Sequence, residues 1–143
     1  MRLLGIDTGE KRIGIAICDP QEIVAVPLCV LERKGRHDTE AIAGLARREA
    51  VEQLVVGLPL SLDGGRGPQA ERAMRFGERL ASACGLAVVF WDERFSTVEA
   101  DRVMLEAGLS RRRRDARRDA TAAAIILQDY IDSNRSRMNS TAP

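Results

Sequence analysis

The order of the apolar segments is the feature of this sequence that most constrains its fold. Two short apolar segments, residues 2–7 and Arg12–Cys18, lie close together, and the few residues between them suit the turn of an antiparallel hairpin. Later segments at Gln53–Leu58 and residues 86–91 are continuously apolar, as in parallel strands buried on both sides, and each follows a segment with helical spacing. This order predicts an α/β fold in which a mixed five-stranded sheet has helices on both faces.

The fifth predicted strand and the helices complete this outline. Residues 23–31 are interrupted by Pro27, which has no amide hydrogen to donate and therefore predicts a strand at the sheet edge. Helices are predicted at four places: from Asp38 or Thr39 to about Val51, from Pro68 to about Cys84, from Ser96 or Thr97, and from Asp119. Because no repeat or linker divides the chain, we expect one domain over residues 1–133 and a disordered tail over residues 134–143.

Composition excludes several classes of protein. The chain has 143 residues, 45% of them hydrophobic and 30% charged, which is typical of a single globular domain. Cys18, Cys29 and Cys84 are odd in number and far apart, so neither a zinc site nor a disulfide framework is expected. No apolar run reaches the roughly 20 residues that span a bilayer, and the chain begins without a signal-peptide pattern, so we expect a cytoplasmic protein without membrane contact.

Three acidic residues are candidates for a metal site. Asp7 and Glu93 lie at the ends of apolar strands, where open α/β sheets bind their ligands. Carboxylates brought close together are tolerated best with a cation between them, and Mg²⁺ or Mn²⁺ prefers such oxygen ligands. Asp119, at the predicted start of the last helix, could supply a third. Taken singly, Asp7 also fits a turn and Asp119 a helix cap, whereas Glu93 has no evident capping role.

Basic and hydroxyl residues near these acids are candidates for binding phosphate. Lys11 and Arg12 place positive charge beside Asp7, although cations in a turn are more often merely solvated. Arg94 and Thr97 follow Glu93, and Thr97 could equally help to start its helix. The run Arg111, Arg112, Arg113 and Arg114 favours a nucleic-acid backbone contact, because crowded guanidinium groups repel one another unless anions bind them. The glycine-rich residues 63–67 fit an anion site or a flexible connector equally well.

Four segments of the chain resemble one known family. They are, in order, LLGIDTGEKRIGIAICD, VVGLPLSLDGGRGPQAERA, VFWDERFSTVEADRVM and DATAAAIILQDYID. Together they span about residues 1–133 and resemble the YqgF family, which comprises Holliday-junction-resolvase-like proteins also described as candidate pre-16S rRNA nucleases. The resemblance implies an RNase H-like fold, a divalent metal, and catalytic, metal-binding acids at Asp7, Glu93 and Asp119.

The predicted function is metal-dependent hydrolysis of phosphodiester bonds in structured nucleic acid, in 5′-end processing of pre-16S rRNA, in Holliday junction resolution, or in both. A non-catalytic nucleic-acid-binding factor in ribosome assembly is the first alternative. An actin-like nucleotide-binding fragment is the second, because GIDTG followed by KRIG resembles the phosphate-binding hairpin of those ATPases, but one domain is too short for their two-domain cleft. Symmetric junction cleavage would need two active sites, which by analogy suggests a homodimer. The sequence does not distinguish rRNA from branched DNA.

Overall fold

The computed structural model describes residues 1–60, 63–93 and 111–140, with side chains described for residues 120–134 of the last range. Within these ranges the chain forms five strands and three helices. In chain order they are β1 (Leu3–Thr8), β2 (Arg12–Cys18), β3 (Ala25–Glu32), α1 (Asp38–Arg48), β4 (Gln53–Leu58), α2 (Pro68–Cys84), β5 (Ala87–Asp92) and α3 (Arg111–Ser140). The predicted helix start at Ser96 or Thr97 lies outside the described residues.

The five strands form one mixed sheet in the order β3-β2-β1-β4-β5. Strand β2 is antiparallel to both of its neighbours, β1 and β3, whereas β1, β4 and β5 run parallel to one another. Strand β3 lies at the edge, as Pro27 predicts, and its pairing with β2 shifts register between Ile15 and Ala16. The predicted α/β class and mixed topology are therefore confirmed.

Helices cover both faces of the sheet because the buried strands carry apolar side chains on both sides. Ile6 and Val56 belong to a core that α1 and α2 close, with Phe76 and Leu80 from α2 buried in it. The opposite face packs on α3 through residues such as Leu127, which is fully buried. Full burial of such a side chain contributes about 1.5–3 kcal/mol.

Helix α3 lies close to the sheet and runs roughly antiparallel to β1. A Cβ added at Gly5 would lie 2.9 Å from Leu127 Cβ and 3.1 Å from the Ala123 carbonyl oxygen, so only glycine permits this approach. The next residue of the helix, Gln128, contacts the segment that leads into β3. Its side chain accepts a hydrogen bond from the Ala25 amide at 2.8 Å and donates one to the Ile23 carbonyl at 3.0 Å. Gln128 thereby fixes α3 against the start of the edge strand.

The predicted start of this helix at Asp119 is wrong. Helix α3 begins at Arg111, so Asp119 lies about two turns inside it and cannot cap it. Neither glycine nor proline occurs between the two positions, and arginine and alanine are strong helix formers, so nothing delays the start to Asp119. The helix continues to Ser140, seven residues beyond the predicted domain boundary at residue 133. In the described part of the chain, no helix has the length and apolar character needed to cross a membrane.

Candidate active site

Asp7 and Glu93 lie on either side of strand β4, at the same end of the sheet. Asp7 is the second-last residue of β1, and Glu93 follows β5 directly, with its backbone amide donating to the Leu58 carbonyl at 3.2 Å. Since β1, β4 and β5 are parallel, their carboxyl ends meet at one edge, the usual ligand site of open α/β sheets. The fold therefore brings together two of the three acids that the sequence singles out.

Gly57, on the intervening strand, makes room for the Glu93 carboxyl group. A Cβ at residue 57 would overlap Glu93 Oε2 and would lie 2.8 Å from Ile126 Cδ1 of α3. Without a side chain at Gly57, Glu93 can extend across β4 toward Asp7 beneath α3. The glycine is thus part of the site, although it has no functional group of its own.

The Glu93 carboxyl group is buried in a way that disfavours its charge. Burial, the charge of Asp7, a hydrogen bond with Asp7 and the charge of Asp92 together raise the pKa of Glu93 from 4.5 to about 9. The carboxyl group therefore holds a proton near neutral pH. Its Oε2 is nevertheless buried with no hydrogen-bond partner in the described structure. An unsatisfied buried oxygen is costly, and it needs either a donor or a cation.

Asp119 can be placed only through the backbone of α3. Residue 119 lies four residues before Ala123, a rise of about 6 Å along the helix. Asp7 lies two residues beyond Gly5, roughly 6.6 Å along β1. Because Ala123 lies over Gly5 and the two elements run in opposite directions, the backbone at residue 119 is expected level with Asp7. The Asp119 side chain is outside the described structure.

The donor set at this edge fits a hard divalent cation. Asp7 and Glu93 supply carboxylate oxygens, which Mg²⁺ and Mn²⁺ prefer, and the unsatisfied Glu93 Oε2 is an available ligand atom. The described side chains contain no group of three or more acidic, histidine or cysteine residues suited to a metal. The third carboxylate predicted from the sequence is Asp119, whose side chain lies outside the described structure.

A cleft of about 400 Å³ opens beside the two carboxylates. Its acidic lining consists of Asp7, Glu93 and the exposed Glu10, and its cationic lining consists of Arg33 and Arg72. The remaining lining residues are Thr8, Gly9, Pro59, Gln69 and Ala73. The volume of the cleft is within the range of ordinary ligand pockets, and its lining combines two arginines with carboxylates that could bind a metal.

Arg33 is held in place by the fold. Its backbone amide donates to the Lys11 carbonyl at 2.9 Å, and its Nη1 donates to the Gly9 carbonyl at 2.8 Å. The guanidinium carbon also lies 5.4 Å from the centre of the buried Phe76 ring, a cation–π contact. These contacts link the end of β3 to the turn that follows Asp7 and to α2.

The other predicted phosphate-binding residues differ in how far the structure describes them. Lys11 and Arg12 lie at the β1–β2 turn, and neither is among the residues that line the cleft. Arg94 and Thr97 lie outside the described residues. Arg111 to Arg114 form the first turn of α3, and their side chains are not described. The binding roles predicted for these residues remain predictions.

The sequence interpretation did not single out Arg33, Arg72 or Gly57. Arg33 reaches the cleft because the β2–β3 pairing brings it beside Lys11, and that register depends on a bulge without a sequence signature. Arg72 follows Pro68 by four residues, so its place near the N-terminus of α2 was a signal that could have been used. Gly57 follows a continuous apolar run and resembles an ordinary small residue in a buried strand.

Comparisons with known proteins agree with this architecture. Residues 1–133 match the RuvX family, described as Holliday junction resolvase. A candidate pre-16S rRNA nuclease of Moorella thermoacetica is 48% identical over 133 residues, covering 92% of this chain and 95% of that protein. A protein of Syntrophus aciditrophicus with the same name is 45% identical over 134 residues, covering 93% and 89% of the two chains.

Solved structures share the fold at low sequence identity. Thermus thermophilus RuvC, in complex with a Holliday junction substrate, has a TM-score of 0.57 and 17% identity over 94% of this chain and 96% of that one. Fowlpox virus resolvase, solved with Holliday junction DNA, has a TM-score of 0.60 and 12% identity over 94% and 99% of the two chains. With a family match over nearly its whole length and relatives above 40% identity, the chain belongs to the RuvX family.

Proposed function

We propose that this protein is a metal-dependent endonuclease that hydrolyses phosphodiester bonds in structured nucleic acid. Its reaction would be 5′-end processing of pre-16S rRNA, resolution of Holliday junctions, or both. The observation that carries the proposal is the Glu93 carboxyl group, which meets Asp7 at the carboxyl ends of parallel strands and has one buried oxygen without a partner among the described residues. Membership of the RuvX family supports the same reaction.

The catalytic acids in this proposal are Asp7, Glu93 and Asp119, which would hold Mg²⁺ or Mn²⁺. Such a cation supplies activation of water and stabilisation of the leaving oxygen in an in-line displacement at phosphorus. Without it, Glu93 keeps a proton in its hydrogen bond with Asp7, which prevents repulsion between the two carboxylates. Gly57 provides the space in which the Glu93 carboxyl group lies, and the neighbouring cleft admits the substrate.

The finer features of the proposal concern the domain, the substrate contacts and the setting. We assign the activity to one domain over residues 1–133, acting in the cytoplasm and able to form a homodimer for symmetric cleavage. The substrate contacts are those predicted from the sequence: Lys11, Arg12, Arg94, Thr97, Arg111, Arg112, Arg113 and Arg114. The arginines suit phosphate because the planar guanidinium group donates two parallel hydrogen bonds.

A side-by-side cleavage assay tests the proposed function. Labelled four-way DNA junctions and pre-16S rRNA fragments are incubated with wild-type protein in Mg²⁺, in Mn²⁺ and in EDTA. We expect metal-dependent cleavage of at least one substrate, loss of cleavage in Asp7→Asn, and normal cleavage in Glu78→Gln, a matched change at an exposed position of α2. The ratio of the two cleavage rates identifies the preferred substrate. Binding of either substrate without cleavage in any metal would instead indicate a non-catalytic assembly factor.

A further inference from the structure

Two arginines of the cleft have no role in the proposed metal site. Arg33 is half-buried and Arg72 is exposed, and both line the same cavity as Asp7 and Glu93. Within the described part of the chain, neither arginine forms an ion pair, although three carboxyl groups line that cavity. Arginine beside acids normally pairs with them, so these two guanidinium groups retain their capacity for another anion.

Arg33 is also preorganised for such an anion. One of its donors is used by the Gly9 carbonyl, and one face of its guanidinium group lies against Phe76, so the side chain has little freedom left to lose on binding. A guanidinium group has five N–H donors, and the contact with Gly9 uses only one of its nitrogen atoms. The free donors suit a phosphate group, whose oxygens accept two parallel hydrogen bonds.

Arg72 adds a second cation from a different element. It lies in the second turn of α2, whose N-terminal turn also contributes Gln69 to the lining. The positive end of the α2 dipole is therefore close to the cavity that the two arginines line. The cavity of about 400 Å³ is thus lined by cations from the end of β3 and from α2, together with acids from the ends of β1 and β5.

We propose that Arg33 and Arg72 form a phosphate subsite that binds a backbone phosphate of the nucleic acid next to the one that is hydrolysed. This inference rests on the proposed function, because the carboxylates assign the reacting phosphate to the metal side of the cleft. The two arginines then bind the neighbouring phosphate and fix the strand in register with the site. They act on binding and positioning, and they take no part in the bond-breaking step.

Binding measured without hydrolysis tests the subsite. The dissociation constants of a fluorescent four-way DNA junction and a fluorescent pre-16S rRNA fragment are measured in EDTA over a range of KCl concentrations. We expect Arg33→Ala and Arg72→Ala each to weaken binding about 10-fold and to reduce the slope of log affinity against log salt by roughly 0.9 on duplex substrate. Arg33→Lys keeps the charge but loses the planar fork, so its affinity should lie between wild type and Arg33→Ala.

Matched controls separate a subsite from a general effect of charge. Arg79 lies 5.9 Å from the same Phe76 ring, and Arg75 is on the same helix as Arg72, but neither lines the described cleft. Arg79→Ala and Arg75→Ala should therefore bind within about twofold of wild type. Equal losses in the controls and in the cleft variants would overturn the subsite, because overall charge alone would then explain them.

The Arg72→Ala variant distinguishes loss of a phosphate contact from a structural effect of removing the Arg33 side chain. Arg33→Ala removes the hydrogen bond to Gly9 and disturbs the turn that follows Asp7, whereas no hydrogen bond or ion pair within the described residues ties the Arg72 side chain to the fold. If Arg33→Ala lowers both the thermal midpoint and binding while Arg72→Ala binds as wild type, the subsite is refuted. If wild type cleaves the substrate but both arginine variants bind it as tightly as wild type, the subsite is refuted and the proposed nuclease activity stands. Binding that depends on both arginines, without cleavage, refutes only the nuclease activity.

Discussion

At the scale of single residues, the stability of the proposed metal site depends on the protonation of Glu93. The pKa of this buried group is raised to about 9, chiefly by desolvation and then by Asp7, so in the absence of metal the folded protein holds a proton that the unfolded chain releases near pH 4.5. A group with a raised pKa stabilises the fold below its unfolded pKa, and this stabilisation is lost as the pH rises toward its folded pKa. Ionisation of the Glu93 carboxyl group therefore destabilises the fold in metal-free buffer.

The first prediction concerns Glu93→Gln in metal-free buffer. Glutamine resembles the protonated acid, so the free energy of unfolding of wild type relative to this variant should fall as the pH rises from 4.5 to about 9. The slope for one proton approaches about 1.4 kcal/mol per pH unit. Urea unfolding across this window measures it, with Glu78→Gln as the exposed control that should follow wild type. If the free energies of unfolding of wild type and Glu93→Gln changed with pH in the same way, Glu93 would not be protonated in the folded protein.

A second prediction concerns Gly57→Ala. The added methyl group would overlap the Glu93 carboxyl group and crowd Ile126, so we expect a loss of about 1–3 kcal/mol in stability and a marked loss of metal-dependent cleavage. Gly44→Ala is the control, because a Cβ there meets no heavy atom within 4 Å and should stabilise α1 by roughly 0.5–1 kcal/mol. A fully active Gly57→Ala would mean that Glu93 does not need its position over β4.

Residue patterns predicted the acids better than the cations. Asp7 and Glu93 were found because strand ends can be read from apolar runs, and parallel strands bring such ends together. Arg33 and Arg72 could not be found in this way, since their meeting depends on the β2–β3 register and on how α2 crosses the sheet. Local sequence patterns carry no information on the β2–β3 register or on the direction in which α2 crosses the sheet.

At the scale of whole elements, continuous apolar runs fixed the strands well. The bounds predicted for β2 and β4 agree with the structure, because each run is bordered by polar or turn-forming residues. The start of α3 was misplaced because Asp119 resembles a capping residue, while the helix-forming residues before it already permit a helix. Cap patterns predict helix starts poorly when no helix-breaking residue precedes them.

The longer α3 gives the arginine run a definite place and leads to the third prediction. Replacing Arg111 to Arg114 together with alanine should weaken substrate binding and lower the salt slope by up to roughly 0.9 per lost phosphate contact on duplex substrate. Cleavage of saturating substrate should change much less, because these residues are proposed to contact the nucleic-acid backbone and not to hold the metal. A matched four-charge control replaces the exposed residues Arg47, Arg48, Arg75 and Arg79. Equal slopes in the two variants would indicate that the run is ordinary solvated surface.

At the scale of the whole molecule, the mixed sheet concentrates function at one edge. The parallel strands β1, β4 and β5 bring Asp7, Gly57 and Glu93 to their carboxyl ends, while β3 and α2 bring arginines to the same cleft. Helix α3 closes the opposite face and carries Asp119 toward this edge. One edge of the sheet can thus supply acids for a metal and cations for a nucleic-acid backbone.

The most direct test of the central claim is the single-turnover cleavage rate at saturating Mn²⁺ in the three acid variants. Asp7→Asn, Glu93→Gln and Asp119→Asn should each lower the rate by about 100-fold or more while they retain a cooperative unfolding transition. Asp132→Asn on α3 and Glu78→Gln on α2 are exposed controls that should cleave at the wild-type rate. A near-wild-type rate in any one of the three acid variants would contradict a catalytic centre built from Asp7, Glu93 and Asp119.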